Sequence, residues 1–311
     1  MGVPHPIPYQ GSKRNLAASI IAYLPQDTRK LIEPFAGSAA ISLAASCSRR
    51  ADRFLINDAN VPLIALWDRI INAPQQISEE YRHLWEEQQG QEQHYYYIVR
   101  DKFNKSQEPH YLLYLLARCV KASVRYNSLG EFNQSPDNRR CGTQPSTMQQ
   151  NIFRASHLLR DRTQLQHGDY QAVIQTATAE DVVYMDPPYQ GVCGRRNPRY
   201  SNSLGLDDFA DALLLLNQKE ISYIVSYDGR TGEKSFGVPL PDRLRLRHIE
   251  IKAGRSSQAT LLGRDDQTYE SLYFSPALMS RLEPKLFTIH SAKETMPSLF
   301  SSDYARSTAT I

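Results

Sequence analysis

Short apolar runs that stop at an acidic residue recur along the chain. Residues 30–32, 53–57, 182–185 and 223–226 read as buried strands, and the first three run directly into Glu33, Asp58 and Asp186. Residues 38–46, between the first two runs, are small and apolar and predict a helix. Strand, glycine-containing turn, helix and strand make a βαβ unit, which implies a parallel sheet with a right-handed crossover. Further on, residues 244–251 alternate apolar positions with Arg, His and Glu, and residues 268–275 are rich in Tyr, Leu and Phe. These predict an antiparallel pair joined by a polar loop over 252–267.

Between residues 72 and 160 the strand alternation disappears. Residues 78–105 are polar with a helical pattern broken at Gly90, residues 111–124 predict an apolar helix, and residues 148–160 predict another. Residues 127–147, rich in Asn, Ser, Pro and Gly, predict a loop. The fold class that follows is α/β: a doubly wound, mostly parallel sheet with an antiparallel hairpin at its C-terminal end and a helical insertion. Residues 1–71 and 161–285 form the sheet domain, residues 72–160 the insertion, and the Ser/Thr-rich residues 286–311 a flexible tail.

Composition narrows the class further. In 311 residues, 41% are apolar and 22% charged, enough for a packed core and against wholesale disorder. No apolar run of about 18 residues is present, so no ordinary membrane-spanning helix is expected. The first ten residues hold three prolines and no apolar segment of a secretory signal. Cys47, Cys119, Cys141 and Cys193 form no C-x-x-C pair, which argues against zinc and disulfides and for a reducing, cytoplasmic setting. Net charge is only +3, but basic residues cluster at Arg118, Lys121, Arg125, Arg139 and Arg140, at Arg195, Arg196 and Arg199, and at Arg243, Arg245, Arg247, Lys252 and Arg255. Such clusters serve either as solvated surface or as contacts to a polyanion.

Two segments carry candidate chemistry. In Glu33-Pro34-Phe35-Ala36-Gly37-Ser38 the glycine sits at a strand-to-helix turn, where a ligand can approach the backbone and a helix N-terminus. Asp58 ends the next strand, the position at which a carboxylate takes ribose hydroxyls. Ser38, Ala39 and Ala40 stand where further glycines would admit a pyrophosphate, so a nucleoside ligand fits better than a dinucleotide. The second segment is Asp186-Pro187-Pro188-Tyr189, whose chance occurrence in a chain of this length is on the order of one in a thousand. Methylating an exocyclic amine requires its parts. The lone pair of that nitrogen is delocalised into the base ring, and a carboxylate plus a rigidly held backbone carbonyl accepting its two hydrogens would free it. An aromatic ring can stack on a base that has left the helix.

These residues, in this order, resemble the Dam-like family of DNA adenine-N6 methyltransferases. The resemblance begins at Pro8-Tyr9-Gln10-Gly11-Ser12-Lys13-Arg14, similar to the family's aromatic-x-Gly-x-Lys motif. It runs through residues 33–38, Ile56-Asn57-Asp58-Ala59-Asn60, Arg125-Tyr126-Asn127 with Gly130-Glu131-Phe132-Asn133, and residues 186–189. A weaker echo follows in Arg255-Ser256-Ser257, Arg264 and Glu270-Ser271-Leu272. The resemblance implies S-adenosylmethionine as cofactor, with Lys13 near its carboxylate and Tyr9 in contact. Glu33, Phe35 and Gly37 would line the methionine side, Asp58 the ribose, and Asp169 the adenine edge. Asp186, which also borders the cofactor, would engage the target adenine with Pro187 and Tyr189. Arg125, Asn127, Asn133, Arg139 and Arg140 would contact double-stranded DNA, Arg125 through guanine or through phosphate. The family's F-N-x-P-x-G-R run, found in members that methylate GATC, is altered here to Phe132-Asn133-Gln134-Ser135-Pro136-Asp137-Asn138, so GATC is not assumed.

The function expected is transfer of a methyl group to N6 of a flipped-out adenine in double-stranded DNA, with a cognate restriction nuclease as a possible partner. No membrane and no metal are expected: the sulfonium leaving group is already activated, and no His/Cys/carboxylate cluster has ligand spacing. Cytosine-N4 methylation shares the amine chemistry, although Ser-Pro-Pro-Tyr would suit it better. Methylation of RNA or of a protein glutamine, a catalytically inactive DNA-binding module and a dinucleotide-dependent oxidoreductase are the remaining alternatives.

Overall fold

The structure is a computed structural model that describes residues 2–188, 205–231, 234–236, 238–255 and 267–282. A short helix, α1 (Ala17–Ile21), precedes β1 (Lys30–Glu33), α2 (Ala40–Cys47) and β2 (Arg53–Asp58), the predicted βαβ unit. Five helices follow: α3 (Val61–Asn72), α4 (Pro74–Glu87), α5 (Glu92–Ser106), α6 (Pro109–Arg118) and α7 (Pro145–Leu159). Pro62, Pro74, Pro109 and Pro145 each stand in the first turn of one of them, where a missing N–H costs nothing. The chain then returns to the sheet through β3 (Thr163–His167), α8 (Tyr170–Ile174), β4 (Val182–Met185), α9 (Leu206–Gln218), β5 (Ser222–Thr231), β6 (Lys234–Phe236), β7 (Arg247–Arg255) and β8 (Gln267–Phe274). It continues into α10 (Pro276–Arg281).

The strands join in the order β3-β2-β1-β4-β5-β8-β7, with β6 paired to β5. The first five are mutually parallel; β8 is antiparallel to both β5 and β7. Parallel strands need both faces covered, which is why β4 is apolar and buried at every position. Ile32, Val183, Tyr223 and Val225 face α8 and α9 on one side. On the other, Leu31, Ile56, Val182 and Ile224 join an apolar cluster that continues through Trp67 into Tyr81, Tyr96, Phe103, Leu113 and Ile152 of the helical segment. Strand order reverses between β1 and β4, and such a reversal opens a crevice beyond the strands' carboxyl ends.

Several expectations need correction. The helix predicted over 111–124 ends at Arg118. Cys119 is extended and bridges Pro136, the Val120 N–H donates to the Ser135 carbonyl at 3.0 Å, and Lys121 and Ala122 turn left-handed at φ 59° and 51°. Pairing with a distant segment thus overrides the local helical pattern. Arg125 therefore lies in a small hairpin, with Tyr126 bridged to Phe132, and not at a helix end. The strand predicted from residue 244 starts at Arg247, because residues 242–244 form a 3₁₀ turn that leaves Arg245 left-handed. β3 went unread: Thr-Gln-Leu-Gln-His is a polar, partly exposed edge strand without the apolar run of its neighbours. Cys193, Arg195, Arg196, Arg199 and the expected tail over 286–311 lie outside the described residues.

Candidate functional site

Parallel strands bring their last residues to one edge, and that edge holds the acidic residues singled out in the sequence. Glu33 ends β1, Asp58 ends β2, and Asp186 follows β4 immediately. At the β1–β4 crevice lies an open cleft, where the strand-order reversal places it. Tyr9, Lys13, Glu33, Phe35, Gly37, Asp186 and Pro187 line it.

The turn after β1 is tightly organised. Gly37 adopts φ +50°, and a Cβ there would stand 3.0 Å from Tyr9 Cε1, so only glycine lets the Tyr9 ring lie on the turn. Trp67 Nε1 donates to the Gly37 carbonyl at 3.0 Å, and the Ser38 hydroxyl donates to Ser12 Oγ at 2.7 Å. Asp58 is only 3% exposed. Its Oδ2 accepts the Gly37 N–H at 3.0 Å and its Oδ1 the Asn60 N–H at 2.9 Å. Burial raises the Asp58 pKa, and those two N–H donors oppose the shift. Asp58 thus holds the turn from behind and does not line the cleft.

Glu33 is equally buried, and its Oε1 accepts the Ser42 N–H in the first turn of α2 at 2.6 Å. Burial pushes its pKa up to about 7 against the hydrogen bonds from Ser42, with a further push from the Asp186 charge. Phe35 packs on Tyr170, ring centroids 5.0 Å apart. Asp169 is exposed and caps α8, accepting the Gln171 N–H at 2.7 Å. It sits next to Gly168, whose N–H donates to the Asp58 carbonyl at 3.3 Å, and it does not line the cleft.

At the opposite wall the Lys13 ammonium stands 2.9 Å from Asp186 Oδ1 and 2.9 Å from Glu270 Oε1. Burial alone would lower the Lys13 pKa. The Asp186 and Glu270 carboxylates outweigh it and raise the value, so the lysine is a fixed cation. The Ser226 hydroxyl donates to Glu270 Oε1 at 2.8 Å. Pro187 and Pro188 line the same end of the cleft; Tyr189 lies outside the described residues. The Glu33 and Asp186 carboxyl groups on the wall, with Glu270 also facing Lys13, beside the Phe35 and Tyr9 rings, suit a ligand that carries positive charge and an aromatic part.

Sequence reasoning assigned no role to Glu270, though it quoted the residue in the C-terminal echo. The signal was available: on β8, Glu270, Leu272 and Phe274 share one face, and an acid on an otherwise apolar face demands a partner. Ser123 and Val124 were missed as well; they enter the cleft from the insertion because the Gln10 N–H donates to the Ala122 carbonyl at 2.9 Å. On the hairpin, half-buried Arg125 accepts the Asn133 N–H on its carbonyl at 3.0 Å, and Asn133 is exposed. Asn127 is committed to the turn: its Oδ1 accepts the Leu129 and Glu131 N–H groups, and its Nδ2 donates to Glu131. Arg139 and Arg140 are exposed beyond the hairpin, beside Asp137.

Among the described residues no cluster of His, Cys, Asp or Glu has the arrangement of a metal site, and no helix is long and apolar enough to cross a membrane. Comparison with known proteins agrees with the geometry of the cleft. A family model for D12 class N6 adenine-specific DNA methyltransferases matches residues 9–235, more than half of the chain. The DNA adenine methylase of Serratia marcescens is 28% identical over 220 residues, covering 68% of this chain and 77% of that protein. The type II methyltransferase M.MjaIII of Methanocaldococcus jannaschii is 28% identical over 202 residues, 58% of this chain and 68% of its own. The DNA N-6-adenine-methyltransferase of Escherichia phage P1 is 29% identical over 187 residues, 58% of this chain but 23% of that protein, so the chain spans about a quarter of its length. With Tyr9, Gly37, Asp58 and Asp186 all inside the matched segment, the chain belongs to the D12 class of N6 adenine-specific DNA methyltransferases.

Proposed function

We propose that the chain transfers a methyl group from S-adenosylmethionine to N6 of an adenine turned out of double-stranded DNA. The observation that carries this reading is the placement of Asp186, held by Lys13 at the end of β4, on the wall of a cleft rich in carboxylates. When bound, S-adenosylmethionine supplies a methyl group on a sulfonium, a leaving group that needs no metal to activate it. Glu33 and Asp186 would favour that positive charge, the Phe35 and Tyr9 rings would offer it aromatic faces, and the Gly37 turn would let a nucleoside approach the backbone. Asp58 and Asp169 would serve the ribose and the adenine edge, Asp58 through the turn it supports.

Asp186 and a backbone carbonyl of the Pro187–Pro188 segment would accept the two N6 hydrogens of the target. That would free the nitrogen lone pair to take the methyl group, the sulfur keeping the electron pair of its old bond, and the surplus proton would leave the nitrogen for solvent. Tyr189 would stack on the base. The insertion hairpin, with Arg125 and Asn133, and the exposed Arg139 and Arg140 would meet the duplex.

Incubation with labelled S-adenosylmethionine and unmethylated genomic DNA, followed by nucleoside analysis, tests the reaction. N6-methyladenine is the expected product; N4-methylcytosine, or label in RNA or protein alone, would refute it. Sequencing the methylated positions gives the recognition site. M.MjaIII carries a type II name, so a nuclease cutting the same site is the partner to look for.

A further inference from the structure

Chemistry at the target amine requires one carboxylate, yet the cleft presents a second one to the same lysine. Lys13, Asp186 and Glu270 are 10%, 21% and 13% exposed along their side chains, so water competes weakly for the pairs. A lysine is a point charge on a flexible stem. Paired with Asp186 alone, it would follow that carboxylate wherever it moved. Glu270 is differently placed: it stands on β8, hydrogen-bonded through the ladder to β5, and its Oε1 also accepts the Ser226 hydroxyl from β5. Its position is therefore set by the sheet and not by the loop after β4.

Resting on the methyltransferase reading above, we propose that Glu270 is a positioning residue for methyl transfer. It anchors the Lys13 ammonium to the rigid sheet, and Lys13 in turn fixes the Asp186 carboxylate at the orientation the target amine needs. Ser226 is the hydroxyl that sets the anchor. A one-sided lysine would draw Asp186 away from the amine, and small misplacements at a reacting centre are costly.

The arrangement separates this role from cofactor or DNA binding. Steady-state and single-turnover kinetics on the full chain, with labelled S-adenosylmethionine and unmethylated genomic DNA, would compare Glu270→Gln, Ser226→Ala, Lys13→Met and the Lys13→Met/Glu270→Gln double variant. Glu270→Gln keeps the shape and removes the charge. The expected result is a kcat lower by about tenfold or more, with KM for cofactor and for DNA within about threefold and an unchanged melting temperature. Ser226→Ala should lose about threefold in kcat, again without a KM change. In the Lys13→Met background, Glu270→Gln should add less than about twofold, because its effect passes through the lysine.

A wild-type kcat in Glu270→Gln, or a full additional loss in the double variant, would overturn the positioning role. If Glu270→Gln melts early, Ser226→Ala decides, since it leaves every charge in place: a kcat loss supports the role and a wild-type kcat refutes it. Wild-type protein that makes no N6-methyladenine defeats the underlying reading, and this role with it.

Discussion

The cleft and the insertion hairpin use polar residues in opposite ways. In and around the cleft each acidic side chain is held: Glu33 by Ser42, Asp58 behind the turn by Gly37 and Asn60, and Asp186 and Glu270 by Lys13. On the hairpin and just beyond it the fixed groups, Asn127 and Asp137, are spent on shaping the backbone, while Asn133 and Arg139 are exposed and exposed Arg140 pairs with Asp137. Only its underside is buried, with Phe132 against Phe103 and the Tyr126 hydroxyl donating to Asn60 Oδ1 at 3.2 Å. On the function proposed above, the cleft would be a reacting centre with one geometry to defend, and the hairpin a reading surface shaped by the chain and completed by its partner.

If that contrast is right, the cleft should respond to substitution all at once and the hairpin by degrees. The largest effect is expected of Asp186→Ala, which should lower methyl transfer by about a thousandfold or more while cofactor affinity stays within a few-fold. Retained activity would remove Asp186 from the chemistry. Next comes Gly37→Val, which places a Cβ against Tyr9 and forces a branched residue to φ +50°. Calorimetry should show cofactor affinity down by about tenfold or more, since strain of this kind costs of order 1–3 kcal/mol. An unchanged dissociation constant would mean that the turn is not part of the cofactor site.

The hairpin supplies the graded case. Arg125→Ala should cost about 1–3 kcal/mol of discrimination at one base position if Arg125 reads guanine, with cofactor binding unaltered. Methylation rates on single-base variants of the site, at two salt concentrations, measure this. A uniform loss with a shallower salt dependence would assign Arg125 to phosphate. The smallest effect concerns Glu33. Its pKa of about 7 lies above the ordinary carboxylate value, so the free protein holds it partly protonated at neutral pH. A cation-bearing cofactor favours the ionised form, and its affinity should therefore rise from pH 6 to 8, by at most about tenfold per unit. Glu33→Gln should flatten that dependence; an unaltered slope would place the proton elsewhere. The sign for folding is the reverse: the protonated Glu33 favours the fold, and that contribution is lost as pH climbs from about 4.5 through 7.

The same contrast explains what could be read in the sequence. β1, β2 and β4 are apolar on both faces and run into acids, so the strands, the sheet class, the cleft carboxylates Glu33 and Asp186 and the turn-holding Asp58 were legible together. Glu270 was not assigned because its partner, Lys13, lies at the other end of the chain, and only the β5–β8 register brings them together. The insertion misled for a related reason. Residues 119–124 carry an apolar helical pattern, but Val120 and Cys119 are claimed by Ser135 and Pro136, a pairing that no local pattern announces. Asn127, singled out through a motif as a DNA contact, also has a local role that the motif did not announce: its side chain builds the turn that presents the neighbouring residues.

The pairing of Lys13 with Glu270 also sets a schedule for synthesis. At about 5–20 residues per second, a nascent chain that has released Lys13 waits roughly ten to fifty seconds before Glu270 is made. The Gly37 turn and the tetrapeptide after β4 emerge earlier, but the Lys13–Glu270 pair cannot form until β8 slots beside β5. A polypeptide that stops short of β8 thus carries the Gly37 turn and the tetrapeptide without the second carboxylate of the Lys13 pair, and on the positioning role proposed above its reaction centre would not yet be aligned.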